Sequence, residues 1–124
     1  MSVGTHYIAD LYNFKDDKVF TKYLSTSNYH IFDEYIKSSL KKNGMTLINS
    51  MIHHFEGYDG AFTSLYLLSE SHLSFHSWPE NNYIAVDIFT CGECNTKQIV
   101  DDIIDFLRPE TSKIKYINRG GDEK

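Results

Sequence analysis

Apolar positions recur along the chain with two periods, one typical of helices and one typical of strands. Within the segment 27–42, aromatic and aliphatic residues repeat at spacings of three and four, which predicts an amphipathic helix that Gly44 ends. A second helix is predicted to begin at Asn95 or Thr96 and to end before Pro109. Both helices should therefore bury one side.

Short runs of β-branched and aromatic residues predict six strands. These runs are Val3–Tyr12, Met45–Phe55, Ala61–Ser69, His72–Trp78, Tyr83–Cys91 and Ile114–Ile117. The polar stretch Asn13–Lys18 predicts a loop after the first strand. The four middle runs follow one another through short turns, so we expect antiparallel pairing. The element order favours an α+β two-layer sandwich, a mainly antiparallel sheet with two helices on one face.

The run Tyr83–Cys91 has two different sides. Ile84, Val86 and Ile88 share one side and suit packing beneath the helices, whereas Asp87 and its same-side neighbours form a half-apolar surface. Such a surface on a single-layer sheet usually meets another chain. We therefore expect a homodimer whose sheets face each other in a four-layer αββα arrangement, with two chains completing each site.

Composition narrows the classes of function. A length of 124 residues predicts one domain, 1–124. The 12 basic residues against 17 acidic ones, a net charge of −5, argue against nucleic-acid binding. No apolar stretch reaches the ~18 residues of a membrane span, and the first residues do not form a signal peptide. We expect a cytoplasmic protein with no membrane partner, whose two cysteines are too few for a disulfide framework.

Reactive side chains are densest in ESHLSFHSWPE, residues 70–80, which DIFTCG, residues 87–92, follows after a short hairpin. Together these segments resemble the small prokaryotic type of pyruvoyl-dependent S-adenosylmethionine decarboxylase proenzymes. The likeness continues more weakly through Gly4-Thr5-His6 and through His53 and Phe55. It implies S-adenosylmethionine as substrate, S-adenosylmethioninamine as product, the aminopropyl donor for spermidine biosynthesis, and a homodimer of cleaved protomers.

Decarboxylating an α-amino acid needs an electron sink for the carbanion that remains, and a backbone-derived ketone can supply it. The resemblance implies that Ser71 is the precursor of a covalent pyruvoyl group, which forms a Schiff base with the substrate. The Ser71 hydroxyl would attack the Glu70 carbonyl, and elimination would cut the chain into a β chain, 1–70, and an α chain, 71–124. Strain in a tight turn would help this attack. The alternative is that Glu70-Ser71 is only a polar hairpin turn.

Three further roles follow from the resemblance. His76 assists self-processing, Cys91 returns a proton to the substrate as general acid, and Thr63 supplies a hydroxyl to the ester intermediate, with Ser64 as the alternative. Without the motif, a histidine in a strand is more often a packed or surface residue, and a lone cysteine is more often a small core residue.

The resemblance also implies a substrate site. Phe55 and Trp78 would sandwich the adenine, and Glu80 would hold the ribose hydroxyls; no metal is implied. Ordinary core packing is the alternative for both aromatic residues. The loop 56–61 is longer than is typical of the family.

Other functions remain open from the sequence. The same self-processing core can serve a pyruvoyl-dependent arginine or ornithine decarboxylase, although Phe55, Trp78 and Glu80 favour a nucleoside substrate. A non-catalytic regulatory homologue is a second alternative, against which Ser71, His76 and Cys91 argue together. The Cys91-Gly92-Glu93-Cys94 segment is a weak signal for a metal or redox protein.

Overall fold

A computed structural model describes residues 3–91 and 94–121. Its strands are β1 (Gly4–Phe14), β2 (Leu47–His54), β3 (Phe62–Leu68), β4 (Ser71–Trp78), β5 (Tyr83–Cys91) and β6 (Pro109–Arg119). Its α-helices are α1 (Val19–Tyr23), α2 (Tyr29–Lys42) and α3 (Thr96–Leu107), and a 3₁₀ turn covers Pro79–Asn81. The strands form one sheet in the order β2-β3-β4-β5-β1-β6, and every pairing is antiparallel. The predicted α+β class is confirmed.

The helices and the sheet form two layers around one core. Side chains alternate in burial along β5, where Ile84, Val86 and Ile88 are buried and the residues between them are half-buried. Phe32 of α2 and Ile103 of α3 belong to the same buried cluster, which places both helices on that side of the sheet. The predicted helix-facing side of β5 is therefore confirmed. The opposite side, which we call the open face, carries no helix among the described residues.

Three elements differ from their prediction. The five-residue α1 has no predicted counterpart, because so short a helix shows no period and buries only Val19 and Phe20. Strand β1 continues past Asn13, which adopts a positive φ of 58° that asparagine tolerates. Strand β6 extends beyond the predicted Ile114–Ile117, because its backbone pairs with β1 over most of its length. Most of its side chains are exposed. No helix within 3–91 and 94–121 is long and apolar enough to cross a membrane.

Candidate active site

The turn between β3 and β4 holds the predicted cleavage position. Leu68 pairs with Ser71, so only Ser69 and Glu70 connect the two strands. Glu70 has a φ of 61°, a left-handed conformation that is uncommon and unfavourable for a residue other than glycine. The peptide bond that precedes Ser71 therefore follows a strained residue. The sequence predicted Glu70-Ser71 as the turn, whereas in the structure the turn is Ser69-Glu70 and Ser71 is the first residue of β4.

Cys91 at the end of β5 contacts this turn. Its backbone N–H donates to Ser71 Oγ at 3.2 Å, and its thiol donates to Glu70 Oε1 at 3.2 Å. The Glu70 carboxylate, by accepting the thiol hydrogen, raises the pKa of Cys91 above its ordinary value. The thiol therefore keeps its proton at neutral pH, as a proton donor must. We call Glu70, Ser71 and Cys91 the turn group.

A cleft of about 260 Å³ lies near the other end of β4. Its lining residues are Phe55, Glu56, Tyr58, Ala61, Phe62, Thr63, His76, Ser77, Trp78 and Glu80. Thr63 pairs with His76 across β3 and β4, and Thr63 Oγ1 lies 3.0 Å from His76 Nδ1, within hydrogen-bond distance. Ser64 is buried on the helix side, so Thr63 supplies the hydroxyl beside His76.

The aromatic side chains of the cleft are exposed. Phe55 is 50% exposed and Trp78 is 39% exposed, which does not fit the alternative of ordinary core packing. The Trp78 ring stacks against Tyr83 at 5.3 Å between centroids and 16° between planes. Tyr83 is fixed in turn, because its hydroxyl donates to Asp10 Oδ1 at 2.5 Å. The Trp78 ring is therefore oriented before any ligand binds.

Five cleft residues have no counterpart among the residues predicted from the sequence: Glu56, Tyr58, Ala61, Phe62 and Ser77. Glu56 and Tyr58 both belong to the loop 56–60, which is part of the segment 55–61 that joins β2 to β3. The signal for Tyr58 was an aromatic residue inside a polar, glycine-containing turn, where ordinary core packing does not require one.

A second polar cluster lies on the open face. His6 Nε2 is 2.5 Å from Asp87 Oδ1, and His72 Nε2 is 3.7 Å from the same oxygen. Arg119 lies beside His6, with 3.0 Å between Nη1 and Nδ1. These contacts connect β1, β4, β5 and β6, and they give the open face a charged region beside its apolar side chains.

The predicted site residues fall into two places. Ser71 and His76 are five residues apart on β4, a separation of about 17 Å along an extended strand. An odd number of residues also turns their side chains to opposite faces of the sheet. The turn group thus lies apart from Thr63, His76, Trp78 and the rest of the cleft within one chain.

The cysteine pair has no metal-binding or disulfide geometry in the described part of the chain. Cys91 and Cys94 are both free thiols, and the Cys94 thiol lies 3.6 Å from the Gly44 carbonyl oxygen. Gly92 and Glu93 lie outside the described residues. Within 3–91 and 94–121, no three histidine, cysteine or acidic side chains are grouped to hold a metal ion.

Known proteins are similar to this chain over nearly its whole length. The family described as S-adenosylmethionine decarboxylase matches residues 5–120. An S-adenosylmethionine decarboxylase proenzyme from Persephonella marina is 34% identical over 96% of this chain and 84% of its own length. One from Prochlorococcus marinus is 44% identical over 73% of this chain and 66% of its own length. The crystal structure of the adenosylmethionine decarboxylase from Aquifex aeolicus superposes with a TM-score of 0.79 at 30% identity, covering 99% of this chain and 95% of that one. The chain therefore belongs to the S-adenosylmethionine decarboxylase family.

Proposed function

We propose that this chain is a proenzyme that cleaves itself between Glu70 and Ser71 and then decarboxylates S-adenosylmethionine to S-adenosylmethioninamine. The proposal rests on the two-residue turn between β3 and β4. At this turn the Ser71 hydroxyl, the strained Glu70 and the Cys91 thiol lie close together. Family membership supports the same reaction, since similar chains are named S-adenosylmethionine decarboxylase proenzymes.

The turn group is suited to self-cleavage. The positive φ of Glu70 is unfavourable, so the turn is strained. Attack by the Ser71 hydroxyl on the Glu70 carbonyl relieves this strain. The cut divides the single domain, 1–124, into a β chain, 1–70, and an α chain, 71–124. His76 and the Thr63 hydroxyl of a second copy, which contact each other, assist this step by exchanging a proton and holding the ester oxygen.

The same residues fit a pyruvoyl group made from Ser71. Elimination from the ester would leave dehydroalanine at position 71, which water would convert to the pyruvoyl group with release of ammonia. The group would thus form at a new amino terminus, at the start of β4 beside Cys91. Its ketone would supply, as an imine with the substrate amine, the electron sink for the carbanion left by carbon dioxide. The Cys91 thiol would return a proton to the substrate α-carbon.

The cleft is suited to the nucleoside part of the substrate. Phe55 and Trp78 offer exposed flat rings to the adenine, and Glu80 offers a carboxylate to the ribose hydroxyls. Among the described residues, no lysine or arginine lines this cleft, whose side chains include two glutamates. These carboxylates would attract the positive sulfonium group of S-adenosylmethionine.

A second copy of the chain completes each site, with the open faces of two sheets against each other. Support comes from the separation of Ser71 from His76 and from the exposed apolar side chains of Met51, Leu65 and Leu67 on the open face. The cleft volume of about 260 Å³ is also below the roughly 300–1,000 Å³ of complete ligand sites. In such a dimer, the cleft of one copy serves the turn group of the other.

The intact mass of freshly purified protein under denaturing conditions tests the cleavage. We expect fragments of about 8 and 6 kDa, in proportion to their lengths, with pyruvoyl at the amino terminus of the smaller one. Ser71→Ala should stay uncut, whereas Ser69→Ala, a change in the same turn, should cleave as the wild type does. Carbon dioxide release from S-adenosylmethionine, arginine and ornithine then identifies the substrate.

Two outcomes contradict the proposal in different ways. A wild-type chain that stays uncut, like Ser71→Ala, points to a regulatory homologue. Complete cleavage with carbon dioxide released only from arginine or ornithine retains the cofactor and rejects the nucleoside substrate.

A further inference from the structure

We infer that Tyr58 is a substrate-binding residue, which adds a third aromatic wall to the cleft and contacts the adenine base. This inference rests on the proposed function and extends it to the loop 56–60. Neither the sequence pattern nor the family resemblance assigns a role to Tyr58.

Exposed aromatic rings are concentrated at the cleft. Among the described residues, four large aromatic side chains are exposed: Phe55, Tyr58, Trp78 and Tyr116. Three of these four line the one cleft, although they come from the loop region after β2 and from the end of β4. Leaving several aromatic rings in water costs free energy unless they meet a partner, and a flat heterocycle is the partner that their faces fit.

The loop that carries Tyr58 is anchored at both ends. Phe55 N–H donates to the Ala61 carbonyl at 2.9 Å, which closes the loop, and Ala61 N–H donates to the Tyr58 carbonyl at 3.1 Å, which forms a turn inside it. The buried Ser77 hydroxyl donates to the Gly60 carbonyl at 2.5 Å. The backbone of Tyr58 is thus held in place by contacts that do not involve its ring.

Helix α1 supports the same loop from the other side. Gly60 has a φ of 91°, and a Cβ built on it would lie 2.7 Å from Phe20 Cβ and 2.7 Å from the Phe20 carbonyl oxygen. Only glycine therefore fits this close approach between the loop and the helix. The loop packs against α1 through Gly60 and leaves the Tyr58 side chain free to face the cleft. Tyr58 is 55% exposed there.

Trp78 leaves part of its ring open to a ligand. The ring stacks against Tyr83 of β5 at 5.3 Å between centroids and, more loosely, against His76 of β4 at 6.0 Å and 25° between planes. Trp78 nevertheless remains 39% exposed in the cleft that Phe55 and Tyr58 also line. A base that contacts the exposed part of the indole ring can reach the rings contributed by Phe55 and by the loop.

The single tryptophan of the chain makes the cleft directly observable, because all intrinsic tryptophan fluorescence comes from Trp78. We would titrate the cleaved protein with adenosine, which cannot react, and measure KM and kcat for S-adenosylmethionine separately. Tyr58→Ala should weaken adenosine binding about tenfold and raise KM similarly, as expected for loss of one base-stacking ring, with kcat nearly unchanged. Tyr58→Phe should retain binding within about twofold, because it keeps the ring.

Tyr116→Ala is the matched control, since Tyr116 is 53% exposed on β6 and does not line the cleft. It should bind adenosine as the wild type does. The inference is overturned if the wild type decarboxylates S-adenosylmethionine but Tyr58→Ala binds adenosine as tightly as Tyr116→Ala does, or if Trp78 does not respond to adenosine at all. A wild type that releases no carbon dioxide from S-adenosylmethionine contradicts the proposed function instead, whatever the Tyr58 variants bind.

Discussion

The turn group and the cleft are built on opposite physical principles. At the turn, Glu70 has an unfavourable backbone conformation. Cys91 contacts this turn through two hydrogen bonds of 3.2 Å, one from its backbone N–H to Ser71 Oγ and one from its thiol to Glu70 Oε1. At the cleft, the loop is anchored through buried Ser77, and Trp78 is oriented by stacking. In the proposed function, the first region stores strain for a bond that breaks once, whereas the second is preorganised to bind a ligand repeatedly.

The sheet explains why these regions are separate. One strand, β4, begins at Ser71 and ends at Trp78, so it connects the reacting serine to the binding surface but also keeps them a strand length apart. The separation therefore favours a site shared between two copies, and the largest predicted effect follows from it.

Cleavage in mixed dimers tests this division most strongly. His76→Ala lacks the processing histidine and Ser71→Ala lacks the precursor serine, so neither should cleave alone. When the two variants are co-expressed, a mixed dimer pairs the intact Ser71 of one chain with the intact His76 of the other. We expect about half of the His76→Ala chains to be cut, because random pairing gives half of them a Ser71→Ala partner. Intact-mass analysis measures the fraction.

A double variant, Ser71→Ala with His76→Ala, is the control partner for that mixture. It carries no intact histidine, so co-expression with His76→Ala should give no cleavage. If the two single variants together also remain uncut, the turn group is not served by the cleft of a second copy.

The protonation of Cys91 gives a smaller but direct test of the turn group. In an uncut protein with one thiol, Ser71→Ala with Cys94→Ser, the further change Glu70→Gln replaces the carboxylate that raises the pKa of Cys91. The pKa of Cys91 should fall, because the thiolate no longer meets a negative charge. The pH profile of iodoacetamide alkylation should therefore move to lower pH.

Glu34→Gln serves as the control in the same background, because Glu34 is an exposed carboxylate on α2, away from the open face, and does not contact Cys91. Its alkylation profile should match that of the parent protein. An unchanged profile in Glu70→Gln would show that the carboxylate does not hold the thiol proton.

Much of the fold was predictable from side-chain periodicity. The alternation in Tyr83–Cys91 indicated which side faces the helices, since burial there depends on every second residue. Edge strand β6 was underestimated because it is held by backbone hydrogen bonds, which leave no pattern in exposed side chains. Helix α1 was missed because five residues span little more than one turn.

The site was predictable as a set of residues but not as contacts. The 70–80 segment identified Ser71, His76 and Trp78 through its resemblance to the S-adenosylmethionine decarboxylase proenzymes. The Glu70 to Cys91 contact joins residues 21 positions apart and depends on the register of β4 and β5, which no local pattern encodes. Tyr58 became a candidate only after the loop 56–60 had been placed against the cleft.

The smallest predicted effect concerns the anchor of the cleft. The Ser77 hydroxyl donates to the Gly60 carbonyl at 2.5 Å and accepts from Phe62 N–H at 2.9 Å, all within buried surroundings. Ser77→Ala would leave both backbone groups without this partner, which should lower the free energy of unfolding by about 2 kcal/mol. Urea denaturation of the uncut Ser71→Ala protein, with and without Ser77→Ala, measures the difference.

Ser112→Ala on exposed strand β6 should change that free energy by less than about 0.5 kcal/mol. If Ser77→Ala proves as mild as Ser112→Ala, the loop is not held through Ser77, and the contrast between a strained turn and an anchored cleft loses its main support. If the loss reaches the expected size, adenosine binding in a cleaved Ser77→Ala protein should weaken as well, because the loop that presents Tyr58 is released. The contribution of the buried Ser77 hydroxyl to the free energy of unfolding would then be linked to the affinity of the cleft for adenosine.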